Sequence, residues 1–146
     1  MKRILVVLGG GRPRGNTRQL VDSFMQGATD AGHDVEFISL NNIEVKGCMG
    51  CNACRYAKPC IQKDDFNELV PKIKNADLIV FASPLLFWTY EQAVSYYKFV
   101  VINYIGFHDR GMLLAGGCGD TNGKPQINKT SYLKEAYEFG ERIYEE

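Results

Sequence analysis

The chain has no net charge, no apolar run long enough to cross a bilayer, no internal repeat and no low-complexity stretch. Each absence removes a class of function. Lysine plus arginine equals aspartate plus glutamate, 17 each, so there is no electrostatic footprint for nucleic acid or an anionic membrane surface. A spanning helix needs about 20 consecutive apolar residues, and none occur. The N-terminus, Met1 to Leu8, is basic and then apolar. It is too short for a signal peptide and runs into glycines instead of a cleavage site. The expected compartment is therefore the cytoplasm. Disulfides are rare there, so the five cysteines read as ligands or redox groups. No interdomain linker divides the 146 residues, and one domain, residues 1–146, is expected.

What is present is an alternation of strand and helix signals. Ile4 to Leu8 is a continuous apolar run, the pattern of a strand buried on both faces. A glycine-rich turn follows, and then Leu20, Val21, Phe24, Met25 and Ala28 recur at helical spacing. Asn16 or Thr17 is expected to cap that helix and Gly32 to stop it. Val35 to Leu40 reads as a second strand. Asp64 or Asp65 opens a helix with Phe66, Leu69, Val70 and Ile73 on one face and a kink or late start at Pro71. Leu78 to Ala82 is a third strand, Glu91 to about Asn103 a helix, and Met112 to Ala115 a fourth strand. Thr130 or Ser131 starts the last helix. Strands alternating with helices imply an α/β fold with a parallel sheet and helices on both faces. Ligands then bind at the carboxyl ends of the strands.

Three loops leave those ends. Gly10 to Thr17 pairs glycines, which let backbone N–H groups approach an anion, with a helix N-terminus. Arg12 and Arg14 add charge, and Asn16 and Thr17 add side-chain donors. The dinucleotide and Walker A patterns are not matched, so a monophosphate is the expected ligand, ahead of a bare strand-to-helix turn. The second loop, Ser83-Pro84-Leu85-Leu86-Phe87-Trp88-Thr89-Tyr90, gathers aromatic side chains that need covering. A flat aromatic cofactor and a dimer interface, or a loop folded on its own core, cover them equally well. The third, Gly116-Gly117-Cys118-Gly119-Asp120, permits close backbone approach but is equally a turn.

The cysteines give the sharpest spacing. Cys48, Cys51, Cys54 and Cys60 place four thiols within thirteen residues, as C-x2-C-x2-C-x5-C. Short spacing of this kind lets one loop wrap three corners of an iron–sulfur cluster, with Cys60 closing the fourth. Structural zinc more often uses two separated pairs. A metal-free thiol loop is the third reading, and the density of thiols favours a ligand role over it. Cys118 stands apart and reads as a small buried residue.

Gly10 to Thr17, Cys48 to Asp65, Ala82 to Trp88, Ala115 to Asp120 and the Ala136 to Gly140 helix together resemble the NADPH-dependent FMN reductase and iron-sulfur flavoprotein superfamily, in order and over most of the chain. The resemblance implies a flavodoxin-like three-layer sandwich holding FMN at the strand ends, with NAD(P)H as electron donor. The acceptor would be a small molecule or a protein, and the assembly a homo-oligomer, dimer or tetramer. It implies that Arg12, Asn16 and Thr17, within the cofactor set Gly10, Arg12, Arg14, Gly15, Asn16 and Thr17, hold the phosphate. Ser83, Pro84, Leu85, Leu86, Phe87 and Trp88 would flank the ring, with Gly116, Gly117, Cys118 and Gly119 beside it. It implies a [4Fe–4S] cluster on Cys48, Cys51, Cys54 and Cys60. Two departures stand out. Glycine replaces the family's usual serine at Gly10, and the chain is short between Tyr96 and Met112, which predicts four parallel strands instead of five. The competing function is a shortened, non-enzymatic paralogue acting as an interaction or metal-binding module.

Overall fold

Nothing polar interrupts Ile4 to Leu8, and this run becomes the centre of a parallel sheet. In the computed structural model, which describes residues 1–55, 58–85, 89–119 and 124–145, strand β1 (Arg3–Leu8) lies between β2 (Asp34–Ser39) and β3 (Leu78–Ala82). Ile4 faces Val35 on one side and Leu78 on the other, and the ladder continues without a slip to Leu8, opposite Ser39 and Ala82.

Alternation along β1 then decides the layers. Ile4, Val6 and Leu8 point to one face and meet Val21, Phe24 and Ala28 of α1 (Asn16–Asp30) together with Ala136 of α4 (Tyr132–Glu141) and Ile143. Phe24 and Phe139 close this core edge to face at 5.7 Å. Leu5 and Val7 point the other way, and α2 (Phe66–Asn75) packs on β1 there. The flavodoxin-like α/β arrangement follows.

Helices α1 and α4 cross in near contact, and two glycines allow it. A Cβ on Gly27 would enter the carbonyl of Tyr137, and one on Gly140 would enter the carbonyl of Phe24. The pair is the broadest helix contact in the fold.

Four expectations need correcting. The sheet has three strands among the described residues, not four. Met112 to Ala115 forms no ladder with β3, although Leu113 still packs against the core. The apolar run satisfied the local pattern of a strand, but pairing is decided by a distant partner. Next, α1 is capped by Gly15 and already contains Asn16 and Thr17. Finally, the helix expected from Glu91 begins one residue earlier: α3 (Tyr90–Tyr97) starts on a capping box in which Thr89 and Gln92 bond reciprocally. It continues as π-helical turns over Lys98–Tyr104. Helix α2 runs through Pro71 without a late start.

Candidate functional site at the strand ends

The loop after β1 is held by all its neighbours. The Gly9 N–H donates to the Ala82 carbonyl at 2.8 Å, tying it to the end of β3. The Asn41 side chain, just past β2, donates to the Gly10 carbonyl at 2.6 Å. Gly10 is buried, and a Cβ there would sit 3.4 Å from Pro84. The first two expected loops therefore meet at Gly10. A Cβ at Gly10 would make only ordinary contacts, so the space there does not by itself require glycine.

The third loop joins through Asn16. Its Nδ2 donates to the Cys118 carbonyl at 2.5 Å, and its Oδ1 accepts from the Ile127 N–H at 3.2 Å. The amide is largely committed to holding the 116–119 loop, with one N–H left over. Tyr90 packs its ring on Gly116, where a Cβ would lie 2.8 Å from the hydroxyl oxygen. Gly117 has φ +68°, a backbone state glycine adopts without strain. Cys118 is buried, and burial pushes its thiol up from the ordinary range.

At the centre of this convergence lies the N-terminus of α1. No side chain caps it, and its first turn holds no acid. The first-turn N–H groups of a helix have no intrahelical acceptor, and here they carry the positive end of a fifteen-residue dipole. Arg12 and Arg14 are exposed beside it and form no ion pair among the described residues. Arg18 is spent elsewhere, on Asp22 and on the ring of Phe37. An uncapped helix end with two unpaired guanidinium groups is chemically an anion site. Gly15 tightens the turn, since a Cβ there would meet Arg12 at 3.1 Å. Ser83 and Leu85 are exposed at the rim, and Pro84 is half-buried. Leu86, Phe87 and Trp88 lie outside the described residues.

The cysteine loop leaves the same end of the sheet. Its neck is zipped: Asp65 accepts from the Glu44 N–H at 2.7 Å, Asp64 from the Lys46 N–H at 2.8 Å, and Gln62 donates to the Gly47 carbonyl. Gly50 and Asn52 both have positive φ, +66° and +56°, which curls the chain. The Gly50 N–H donates to Cys48 Sγ at 3.4 Å. Asn67 of α2 clamps the main chain of Cys60, accepting from its N–H and donating to its carbonyl. Cys48, Cys51 and Cys54 are exposed, Cys60 is half-buried, and all are free thiols. No three cysteine, histidine or carboxylate side chains converge as a metal centre among the described residues. The donor chemistry fits a cluster, four soft thiols and a backbone N–H on sulfur. The loop stands open.

Two positions central to this geometry escaped the sequence reading, Asn41 and Tyr90. Asn41 sits in an Asn-Asn pair just after β2, the kind of residue that bonds neighbouring backbone. Tyr90 was counted with the aromatic loop, but nothing local points it at Gly116.

Known proteins resemble this chain in sequence and in fold. An iron-sulfur flavoprotein of Methanocaldococcus jannaschii is 38% identical over 85 residues, 58% of this chain and 44% of that protein. An iron-sulfur flavoprotein of Archaeoglobus fulgidus is 35% identical over 83 residues, 57% of this chain and 41% of that protein. The chain thus spans a little under half the length of these relatives. An NAD(P)H:quinone oxidoreductase from Methanothermobacter marburgensis superposes with a TM-score of 0.68 over 99% of this chain and 98% of that one, at 14% identity, which shows the shared fold. The model of one family, NADPH-dependent FMN reductase, matches residues 2–90, covering all three strands, the Gly10 to Thr17 turn and the cysteine loop. This chain belongs to the NADPH-dependent FMN reductase family.

Proposed function

We propose that the chain binds FMN and works as an NAD(P)H-dependent electron-transfer oxidoreductase. The observation that carries this is the uncapped, acid-free N-terminus of α1, flanked by Arg12 and Arg14 and met by the other two strand-end loops. When bound, FMN would supply hydride acceptance and onward electron transfer; the protein supplies position and electrostatics. Arg12, Arg14 and the first-turn N–H groups of Asn16 and Thr17 would bind the phosphate. Gly10 and Gly15 would let the backbone approach, while Ser83 to Trp88 and Gly116 to Gly119 would border the ring. No side chain is assigned as general base.

The four cysteines would hold a [4Fe–4S] cluster, with the open loop closing as thiolates bind, since a ligand loop and its metal commonly order together. Likeness to proteins named iron-sulfur flavoproteins supports this. The electron acceptor would be a small molecule or a protein, the assembly a homo-oligomer, and the compartment the cytoplasm. No helix is long and apolar enough to cross a membrane among the described residues.

Titration with FMN tests the core of the reading. Quenched flavin fluorescence with a protein-bound absorbance spectrum is the expected result. No binding at high micromolar FMN overturns it. It would then favour the non-enzymatic interaction module, for which the edge of β3, unpaired among the described residues, and the exposed Phe81 speak.

A further inference from the structure

Strand β1 leaves the sheet through three successive glycines, Gly9, Gly10 and Gly11. The Gly9 N–H is fixed by the Ala82 carbonyl, and two units further on lies the Gly10–Gly11 peptide. That unit is planar and trans, so the Gly10 carbonyl and the Gly11 N–H point in opposite directions. Turning the unit over exchanges them. The reversed unit carries Gly11 toward positive φ, as in the change between type I and type II turns, and glycine accepts that state. In the structure Gly11 does not have positive φ, and a Cβ added there would find no atom within 4 Å. Glycine and open space thus leave both orientations accessible. For an anion they are opposites: one presents an N–H, the other a carbonyl oxygen.

One side chain decides between them. Strand β2 ends at Ser39 opposite Leu8, and main-chain pairing with β1 stops there. The chain then turns off through a short helical turn, Leu40–Asn42, and Asn41 reaches back in place of the next rung. Its Nδ2 donates to the Gly10 carbonyl at 2.6 Å. The Gly11 N–H, on the far side of the same plane, forms no hydrogen bond among the described residues. Arg12, with its unpaired guanidinium, follows directly.

We propose that Asn41 is a positioning residue: it holds the Gly10–Gly11 peptide with its carbonyl turned toward β2 and so keeps the Gly11 N–H available to an anion at the head of α1. The inference rests on the phosphate reading of this loop. It adds a backbone donor that lies outside the helix, and it places control of that donor on the exit of a different strand.

Amide spectra of the full-length chain test this, with inorganic phosphate, FMN and riboflavin as probes. Asn41→Leu keeps the size of the side chain and removes the donor. In the free parent the Gly11 amide should give one sharp resonance. In the variant it should broaden or double as the unit samples both orientations. Phosphate should shift Gly11 in the parent with about tenfold higher affinity than in the variant, the worth of one charge-assisted hydrogen bond. FMN should lose affinity by the same factor, and riboflavin, which lacks the phosphate, should bind both chains alike. The proposal is overturned if the Gly11 resonance is unchanged by the substitution, or if the two chains bind phosphate equally. Equal losses for FMN and riboflavin overturn it as well, since a general loosening of the crevice would produce them. A parent that binds phosphate at Gly11 but no FMN sinks the flavin reading and leaves this one standing. A parent in which no probe shifts Gly11 overturns both.

Discussion

At the scale of single residues, the anion site and the buried thiol behave differently from ordinary surface groups. On the proposed reading Arg12 and Arg14 would contribute charge-assisted contacts to the phosphate, each worth about 1.5–3 kcal/mol. Arg12→Gln should therefore weaken FMN binding by roughly ten- to a hundredfold. Riboflavin, which lacks the phosphate, should bind the variant and the parent alike in the same fluorescence titration. Equal losses for both ligands would place Arg12 away from the phosphate. Cys118 supplies the pH-dependent case. Burial favours its neutral thiol in the folded chain and raises its pKa. The stability it contributes is thus complete below the ordinary thiol value of about 8.5 and is lost as pH rises through the raised value. Iodoacetamide labelling at pH 8, read by mass spectrometry, should modify Cys48, Cys51 and Cys54 well before Cys118.

At the scale of elements, the crossing of α1 and α4 has no slack. Gly27→Ala or Gly140→Ala would drive a methyl group into a backbone carbonyl of the partner helix. Overpacking costs about 1–3 kcal/mol, more where backbone must move, so each substitution should lower the urea midpoint clearly, and the double variant should resist folding. At the other side of the sheet, the outer edge of β3 carries no strand among the described residues, and Phe81 is 63% exposed. Uncharged edge strands invite pairing with another chain. Phe81→Lys should accordingly shift sedimentation toward a smaller species, leaving thermal stability within about 0.5 kcal/mol, as for other surface changes.

At the scale of the whole molecule, legibility followed locality. Leu78 to Ala82 was readable to the residue because an apolar run is bracketed by Asp77 and by Ser83-Pro84. Strand β1 was legible to within one residue, and the helix after it as an element though not in its cap. The turn from β1 into α1 was readable because glycines and a helix start occur side by side. Met112 to Ala115 misled for the opposite reason: Met-Leu-Leu-Ala looks like a strand alone, and only the missing partner at β3 decides otherwise. The Asn16 amide was expected to serve a ligand, and much of it serves Cys118 and Ile127, residues more than a hundred positions away. The π-helical turns after Tyr97 had no signal in the apolar spacing, which fits three- and four-residue periods alike. The cysteine spacing suggested candidate donors but carried nothing about how far apart the thiols would stand.

The central position of β1 has a consequence for how the chain comes apart. β1 is hydrogen-bonded on both edges, whereas β2 and β3 are bonded on one each among the described residues. Amide hydrogens in such a strand exchange only when the whole domain opens, and those of edge strands escape through smaller fluctuations. The Gly9–Gly15 loop is the direct extension of β1 and is fastened to Ala82 and Asn41. The anion site thus hangs from the last part of the molecule to melt. The cysteine loop, tied among the described residues through its neck and Asn67, is free to open and reclose many times in the lifetime of one folded chain.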